Sequence, residues 1–175
     1  MDAETERTVW AGNFIAAKVK GKWEYVSRTR GIKAAVILAI DAEDHVILVE
    51  QFRVPLGRAC IEFPAGLIGD NGEDEDATAA ANRELEEETG YRAARMDVVG
   101  EFYSSPGMVS ESFTLLRAHD LTLVGPGGGV DGEDITVHRV PVAGIAEFIA
   151  GARQRGLGID VRLLMLLGTG IMEGR

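Results

Sequence analysis

Apolar residues along the chain fall mostly into short, β-branched runs broken by polar, glycine or proline residues. This patterning predicts strands before it predicts anything else. Residues Thr8 to Lys18 read as a strand with polar interruptions, and Trp23 to Arg28 as a second. Lys20-Gly21-Lys22 supplies the turn between them. KAAVILAI, from Lys33 to Ile40, and HVILVEQF, from His45 to Phe52, read as a buried antiparallel hairpin around the polar turn Asp41–Asp44. Arg53 to Ile68 is loop-like, with Pro55, Gly57, Pro64 and Gly66, and holds a short strand around Cys60 to Phe63. The pattern then changes. From Asp76 to Thr89 the good helix formers Ala77, Ala79, Ala80, Ala81 and Leu85 predict a helix, capped by Asp74 or Asp76 and stopped by Gly90. Strands are expected at Met96 to Tyr103, Ser112 to Arg117 and Ile135 to Val140, with the flexible glycine loop 125–129 before the last. Val142 to Arg153 and Asp160 to Leu167 read as amphipathic helices.

Strands flanking one central helix, with helices at the end, predict a mixed α/β or α+β layered fold. At 175 residues the chain is expected to be one domain with a core of its own. The exception is an N-terminal β arm over residues 1–30, which is a candidate to dock on a partner subunit and leaves 31–175 as the main domain. The single cysteine, Cys60, excludes an intrachain disulfide and suits a reducing, cytoplasmic setting. The acidic start of the chain does not resemble a signal peptide, and no apolar run reaches membrane-spanning length.

Charge alters the picture by its position. The chain carries a formal −10, with a pI near 4.8, which argues against a general nucleic-acid or anionic-membrane binder. Between Gly69 and Tyr91 there are nine acids and one base, Arg83, so this segment alone holds −8 and the rest only −2. Glu84, Glu87 and Glu88 fall on one face of the predicted helix, in its last turn. Like charges there repel one another and also face the negative end of the helix dipole, each at a cost of roughly 0.3–1 kcal/mol. A solvated Glu-rich surface does not require that arrangement, whereas compensation by hard divalent cations does. Zinc-type CxxC or HxxxH patterns and EF-hand spacing are absent from the sequence.

Gly69-x5-Glu75-x7-Arg83-Glu84-Leu85-x-Glu87-Glu88-x-Gly90-Tyr91 matches every fixed position of the Nudix box. The chain therefore resembles the Nudix hydrolases. Val49-Glu50-Gln51-Phe52-Arg53, Glu62-Phe63-Pro64-Ala65-Gly66 and the segment Tyr103 to Glu111 are similar to the ADP-ribose pyrophosphatase and nucleoside-diphosphate-sugar group. Pro106, 16 residues after Gly90, has the spacing of that group, and the resemblance makes it a candidate substrate-binding residue. The resemblance covers about residues 30–150.

The resemblance implies an α/β/α sandwich with a mixed sheet, and metal-dependent cleavage of a pyrophosphate bond. The expected ion is Mg²⁺, with Mn²⁺ as the alternative. ADP-ribose cut to AMP and ribose 5-phosphate is the leading reaction. GDP-mannose or another nucleotide sugar is a close variant, and a non-catalytic binding module or a nucleoside-triphosphate sanitiser stands further off. Glu84, Glu87, Glu88 and the Ala65 carbonyl become expected metal ligands. Arg83 is expected to orient the glutamates, Glu75 to have a structural role, and Gly69 and Gly90 to set backbone geometry. Glu133, with Asp134 as second choice, is the candidate base at the end of the glycine loop; turn acids before a strand are the plainer reading. Arg53 is a candidate for phosphate or ribose, and otherwise a strand-end surface arginine. Arg28 and Arg30 are weaker candidates of the same kind, and Glu111 is one for the sugar. Trp10, Phe14, Trp23 and Tyr25 either stack a base or pack in a core or dimer interface. His138 reads as structural. A homodimer is implied by the resemblance alone.

Overall fold

The computed structural model describes residues 5–29, 33–68, 76–130 and 132–172. Two four-stranded mixed sheets form the centre. The first is built from β4 (Lys33–Ala39), β7 (Ala65–Ile68), β8 (Tyr91–Tyr103) and β9 (Ser112–Leu123), in the order β7-β4-β9-β8. The second holds β5 (His45–Arg53), β6 (Arg58–Glu62), β10 (Ile135–Pro141) and β11 (Gly158–Ile159), in the order β10-β5-β6-β11. The β4–β9 and β6–β11 pairs are parallel and the other pairs antiparallel. The expected three-layer sandwich is what forms, because these central strands are apolar on both faces and each face needs a cover.

Helix α1 (Ala77–Thr89) covers one side: its Ala81 and Leu85 pack with Ala35, Ile37, Ile47 and Leu116. Helix α2 (Ile145–Gln154) covers the other, where Ile145, Ile149 and Ala152 meet Val36, Leu48, Ile61 and Phe63. Alternate residues of β4 thus go to opposite layers, Ile37 toward α1 and Val36 toward α2.

The hairpin expected between β4 and β5 is not made. Both strands exist, but they enter different sheets and share only the bridge Ile40–Val46. Each has two other neighbours. The turn between them is tied by Asp41, whose Oδ1 accepts from the N–H groups of Glu43 (2.9 Å) and His45 (3.0 Å). Arg139 on β10 clasps it through Asp41 (2.6 Å) and Glu43 (2.8 Å). An apolar run buried on both faces reads the same whether it pairs with the next run or crosses to another sheet.

Helix α1 starts and ends where its local signals lie. Asp76 caps it by accepting from Ala79 N–H at 3.3 Å, and Gly90 stops it with φ 75°. Asn82 locks the helix to β8 through two 2.9 Å bonds with the Ala93 backbone. The glycine loop after β9 is not the free connector its composition suggests. Gly128 N–H donates to the Glu88 carbonyl at 2.9 Å and Gly129 N–H to the Glu87 carbonyl at 3.0 Å. These bonds satisfy two of the carbonyls that a helix end leaves open.

The N-terminal stretch read as one interrupted strand is a hairpin of β1 (Arg7–Ala11) and β2 (Ile15–Lys20). With β3 (Trp23–Arg28) it makes a separate three-stranded antiparallel sheet. Gly21, at φ 58°, forms the expected turn into β3. The final predicted helix opens with a 3-10 turn, Val161–Leu163, before α3 (Leu164–Met172). No described helix is long and apolar enough to cross a membrane.

Candidate active site

The sandwich opens into a cleft of about 810 Å³. One wall is the end of α1 with Glu84 and Glu88, backed by Ala65 and Gly66 at the start of β7. Gln51, Phe52 and Arg53 at the end of β5, Glu62 of β6 and Arg162 of the C-terminal 3-10 turn also line it, with Gln51 in contact with Glu88. Arg28 and Glu111 close one side, and Glu133 and Asp134, just before β10, close another.

Glu88 is the most deeply buried acid of the helix end, at 6% exposure. Its carboxylate accepts from Ala65 N–H at 3.1 Å and from Gln51 Nε2 at 3.2 Å, both neutral donors. No ion pair reaches it among the described residues. Burial pushes its carboxyl up to about 8, with the charge of Glu84 adding to the effect and the two hydrogen bonds opposing it. Burial also raises the carboxyl of Glu84, against the pull of Arg83. Arg83 stands between two of the acids, 2.9 Å from Glu84 and 3.1 Å from Glu87. It therefore offsets part of the repulsion at the helix end.

Arg53 faces Glu62, with Nε at 2.6 Å and Nη2 at 2.9 Å, a bidentate pair. Arg28 pairs with Glu111 at 2.5 Å, so two candidates from distant parts of the chain meet each other in the cleft. Glu133 also lines it, and its Oε2 accepts from Val130 N–H at 3.2 Å, which folds the side chain onto its own loop. Glu87 stands beside the cleft, without lining it. Pro106 lies outside, in an exposed turn that pairs with β3 through Val26 N–H to Met108 O (2.9 Å) and Ser110 N–H to Val26 O (3.0 Å). Trp10, Phe14 and Trp23 are exposed on the N-terminal sheet, away from the cleft lining. His138 is occupied by Glu50 at 2.9 Å and by the edge of Phe148, which fits a structural residue. Arg30, Gly69 and Glu75 lie outside the described residues.

A buried carboxylate with only neutral partners is a charge deficit, and a second carboxylate beside it deepens the deficit. Hard oxygen donors of this kind suit a divalent cation of the Mg²⁺ type. The described side chains do not already stand as a group of three acidic or histidine donors around one point. Cys60 offers no alternative nucleophile: burial, with Glu62 nearby, pushes its thiol up to about 12.

The cleft thus brings the acidic end of α1 together with Arg28, Arg53 and Arg162 in one layered α/β fold. The NUDIX domain model matches residues 30–143, and the chain belongs to the Nudix family of hydrolases. Members of that family generally need a divalent metal. An uncharacterised Nudix hydrolase of Schizosaccharomyces pombe is 36% identical over 82% of this chain and 76% of its own length. The ADP-ribose pyrophosphatase of Bacillus subtilis is 42% identical, over 52% of this chain and 48% of its own, so that match spans only about half of each protein. The GDP-mannose pyrophosphatase of Cronobacter sakazakii is 36% identical over 79% of this chain and 72% of its own. The crystal structure of an ADP compounds hydrolase shares the fold, with a TM-score of 0.70 over 97% of this chain and 93% of its own at 23% identity.

Gln51, Phe52, Glu62 and Arg162 are among the cleft residues to which the sequence assigned no role. Gln51 and Glu62 stand inside the segments that carry the resemblance, so their neighbours were a signal. Phe52, 62% exposed at the cleft, looked like one more strand residue. Arg162 had no local signal, because its place depends on β11 docking beside β6.

Proposed function

We propose that this protein is a Mg²⁺-dependent pyrophosphohydrolase of nucleoside diphosphate sugars, acting on ADP-ribose to give AMP and ribose 5-phosphate. The observation that carries this reading is the pairing of opposites in one cleft: a buried carboxylate without an ion-pair partner among the described residues, and arginines lining the same cleft. A diphosphate is the small anion that suits both, through cations on one side and guanidinium forks on the other. Glu84, Glu87, Glu88 and the Ala65 carbonyl would hold the metal, with Mn²⁺ a substitute. When bound, the metal supplies Lewis acidity toward the phosphoryl oxygens and lowers the pKa of water. Arg53 and Arg28 bind and orient the anion, with Glu111 setting Arg28 and facing the sugar. Glu133 takes the proton of the attacking water. The oxygen of that water bonds to one phosphorus as the bridging P–O bond breaks, and the other phosphate leaves with the bridging oxygen. Pro106 shapes the turn that holds β3, and with it Arg28, in place.

GDP-mannose is the second reading, favoured by the Cronobacter sakazakii relative, whose match extends over more of the chain than that of the Bacillus subtilis enzyme. A homodimer is part of the proposal: the exposed Trp10, Phe14 and Trp23 of the N-terminal sheet form the apolar surface that a second copy would bury. So is a cytoplasmic setting, which suits a buried free thiol at Cys60.

The test is turnover with Mg²⁺ on ADP-ribose, GDP-mannose and deoxynucleoside triphosphates in parallel, with products resolved by chromatography. AMP from ADP-ribose supports the first reading, and GMP from GDP-mannose the second. Absence of cleavage of every diphosphate, with metal present, overturns both.

A further inference from the structure

The C-terminal segment 158–162 sends one side chain into the cleft. Strand β11 lies parallel to β6, and Asp160 N–H continues the pairing by donating to Ile61 O at 3.0 Å. Asp160 then caps the following 3-10 turn, its Oδ1 accepting from Arg162 N–H at 2.7 Å. The same carboxylate grips the Arg162 guanidinium at both oxygens, at 2.7 and 2.6 Å. The guanidinium also lies over the Phe113 ring, 5.5 Å from its centroid. Held by Asp160 and Phe113, Arg162 places Nη2 3.5 Å from Glu62 Oε2.

Glu62 is thereby shared. It is only 4% exposed, and its Oε2 faces Arg162 on one side and Arg53 Nη2, at 2.9 Å, on the other. The four residues alternate in sign: Asp160, Arg162, Glu62, Arg53. Their charges sum to zero, so the contribution of Arg162 is geometric: it fixes Glu62 from the far side, and Glu62 in turn fixes Arg53. Two of its five N–H groups hold it to Glu62, which fixes the plane in which the other three are presented.

We propose that Arg162 is a positioning residue for substrate binding: through Glu62 it fixes the guanidinium of Arg53 against the anionic part of the substrate. This rests on the reading of Arg53 as a substrate-binding group. Nothing in the local sequence around Arg162 indicates the role, which arises from the docking of β11.

The experiment is a double-mutant cycle on R162A and R53A, with KM and kcat measured for ADP-ribose and Mg²⁺. It is joined by ¹⁵N NMR of the arginine Nε–H signals in the substrate-free protein. R162A is expected to raise KM about tenfold with kcat within about threefold, because a binding contact is loosened while the reacting groups are untouched. R162K, which keeps the charge and loses the fork, is expected to recover most of that KM. In the R53A background R162A should add no more than about twofold, since its target is gone. The Arg53 Nε–H signal, assigned by its loss in R53A, should be slowly exchanging in the wild type and broadened or fast-exchanging in R162A. The proposal is overturned if R162A raises KM by the same factor with and without Arg53, or if the Arg53 signal is unchanged in R162A. If R162A does not fold, the same cycle and spectra are read on R162K, where a KM rise of about threefold that vanishes without Arg53 is the supporting result. A wild type that cleaves no diphosphate removes the functional reading alone. The NMR comparison needs no substrate and still decides whether Arg162 orders Arg53.

Discussion

The side chain of Glu84 lies directly over the α-carbon of Gly66. A Cβ at Gly66 would overlap Cγ and Cδ of Glu84 and stand 2.7 Å from its Oε1. The backbone of Gly66 is not in the left-handed region, so the glycine is required by this close approach rather than by its dihedral angles. G66A should therefore fold and displace the carboxylate. The expected result is a Mg²⁺ affinity weakened by about 10- to 100-fold with the melting curve little changed, measured by calorimetry. Unaltered Mg²⁺ binding in G66A would remove Glu84 from the metal site.

Gly127 holds the glycine loop against the end of α1. It has φ 64°, and a Cβ there would stand 2.7 Å from Gly90 N and 2.8 Å from Thr89 Cα, backbone atoms that have no room to yield. The bonds from Gly128 and Gly129 to the Glu88 and Glu87 carbonyls depend on that approach. G127A is expected to destabilise the protein by about 1–3 kcal/mol, the range for a strained backbone position. It should also release the Gly128 and Gly129 amides to solvent, seen as a loss of hydrogen-exchange protection at those two residues. Retained protection in G127A would show that the loop docks by other means.

These two contacts mark where the sequence could be read and where it could not. Helix α1 was legible because its signals are local: Asp76 and Gly90 bound it, and the positions of Glu84, Glu87 and Glu88 follow from helical spacing. The chemistry was legible for the same reason, since acids crowded at the negative end of a helix demand an explanation. The partition of β4 and β5 between two sheets was not legible, because double-sided burial erases the alternation that would show which neighbour a strand chooses. The glycine loop looked free because glycine reports permissiveness and not contact. Arg162 and Glu62 meet across 100 residues of sequence, through a two-residue strand that no periodicity can reveal.

Glu133, the proposed base, lines the cleft at the end of the loop that the helix holds. E133Q keeps the size of the side chain and removes its ability to take a proton. The expected loss in kcat is about 10²- to 10⁴-fold, the usual contribution of a general base. KM for ADP-ribose and Mg²⁺ affinity should stay near wild type, measured in the same steady-state and calorimetric series. If E133Q retains kcat and D134N loses it, the base is Asp134. If neither variant loses activity, water activation does not depend on this loop.

Glu88 links the acid cluster to pH. Its folded-state carboxyl titrates at about 8 against an ordinary 4.5, because burial disfavours the anion more than Ala65 and Gln51 favour it. The metal-free folded protein therefore keeps a proton on Glu88 that the unfolded chain releases near 4.5. Folding is linked to proton uptake in that window, so this contribution to stability is full below about pH 4.5 and is lost as pH rises toward 8. In EDTA the melting temperature should show a component that falls across this interval, and E88Q, which cannot ionise, should lack it. A divalent cation that binds the ionised carboxylate competes with the same proton. Mg²⁺ affinity should accordingly rise over the same interval and level off above pH 8, and saturating Mg²⁺ should flatten the melting profile. Wild type and E88Q with the same pH dependence in EDTA would show that Glu88 is ionised in the folded protein across the whole range. The cation would then have no proton to displace from it.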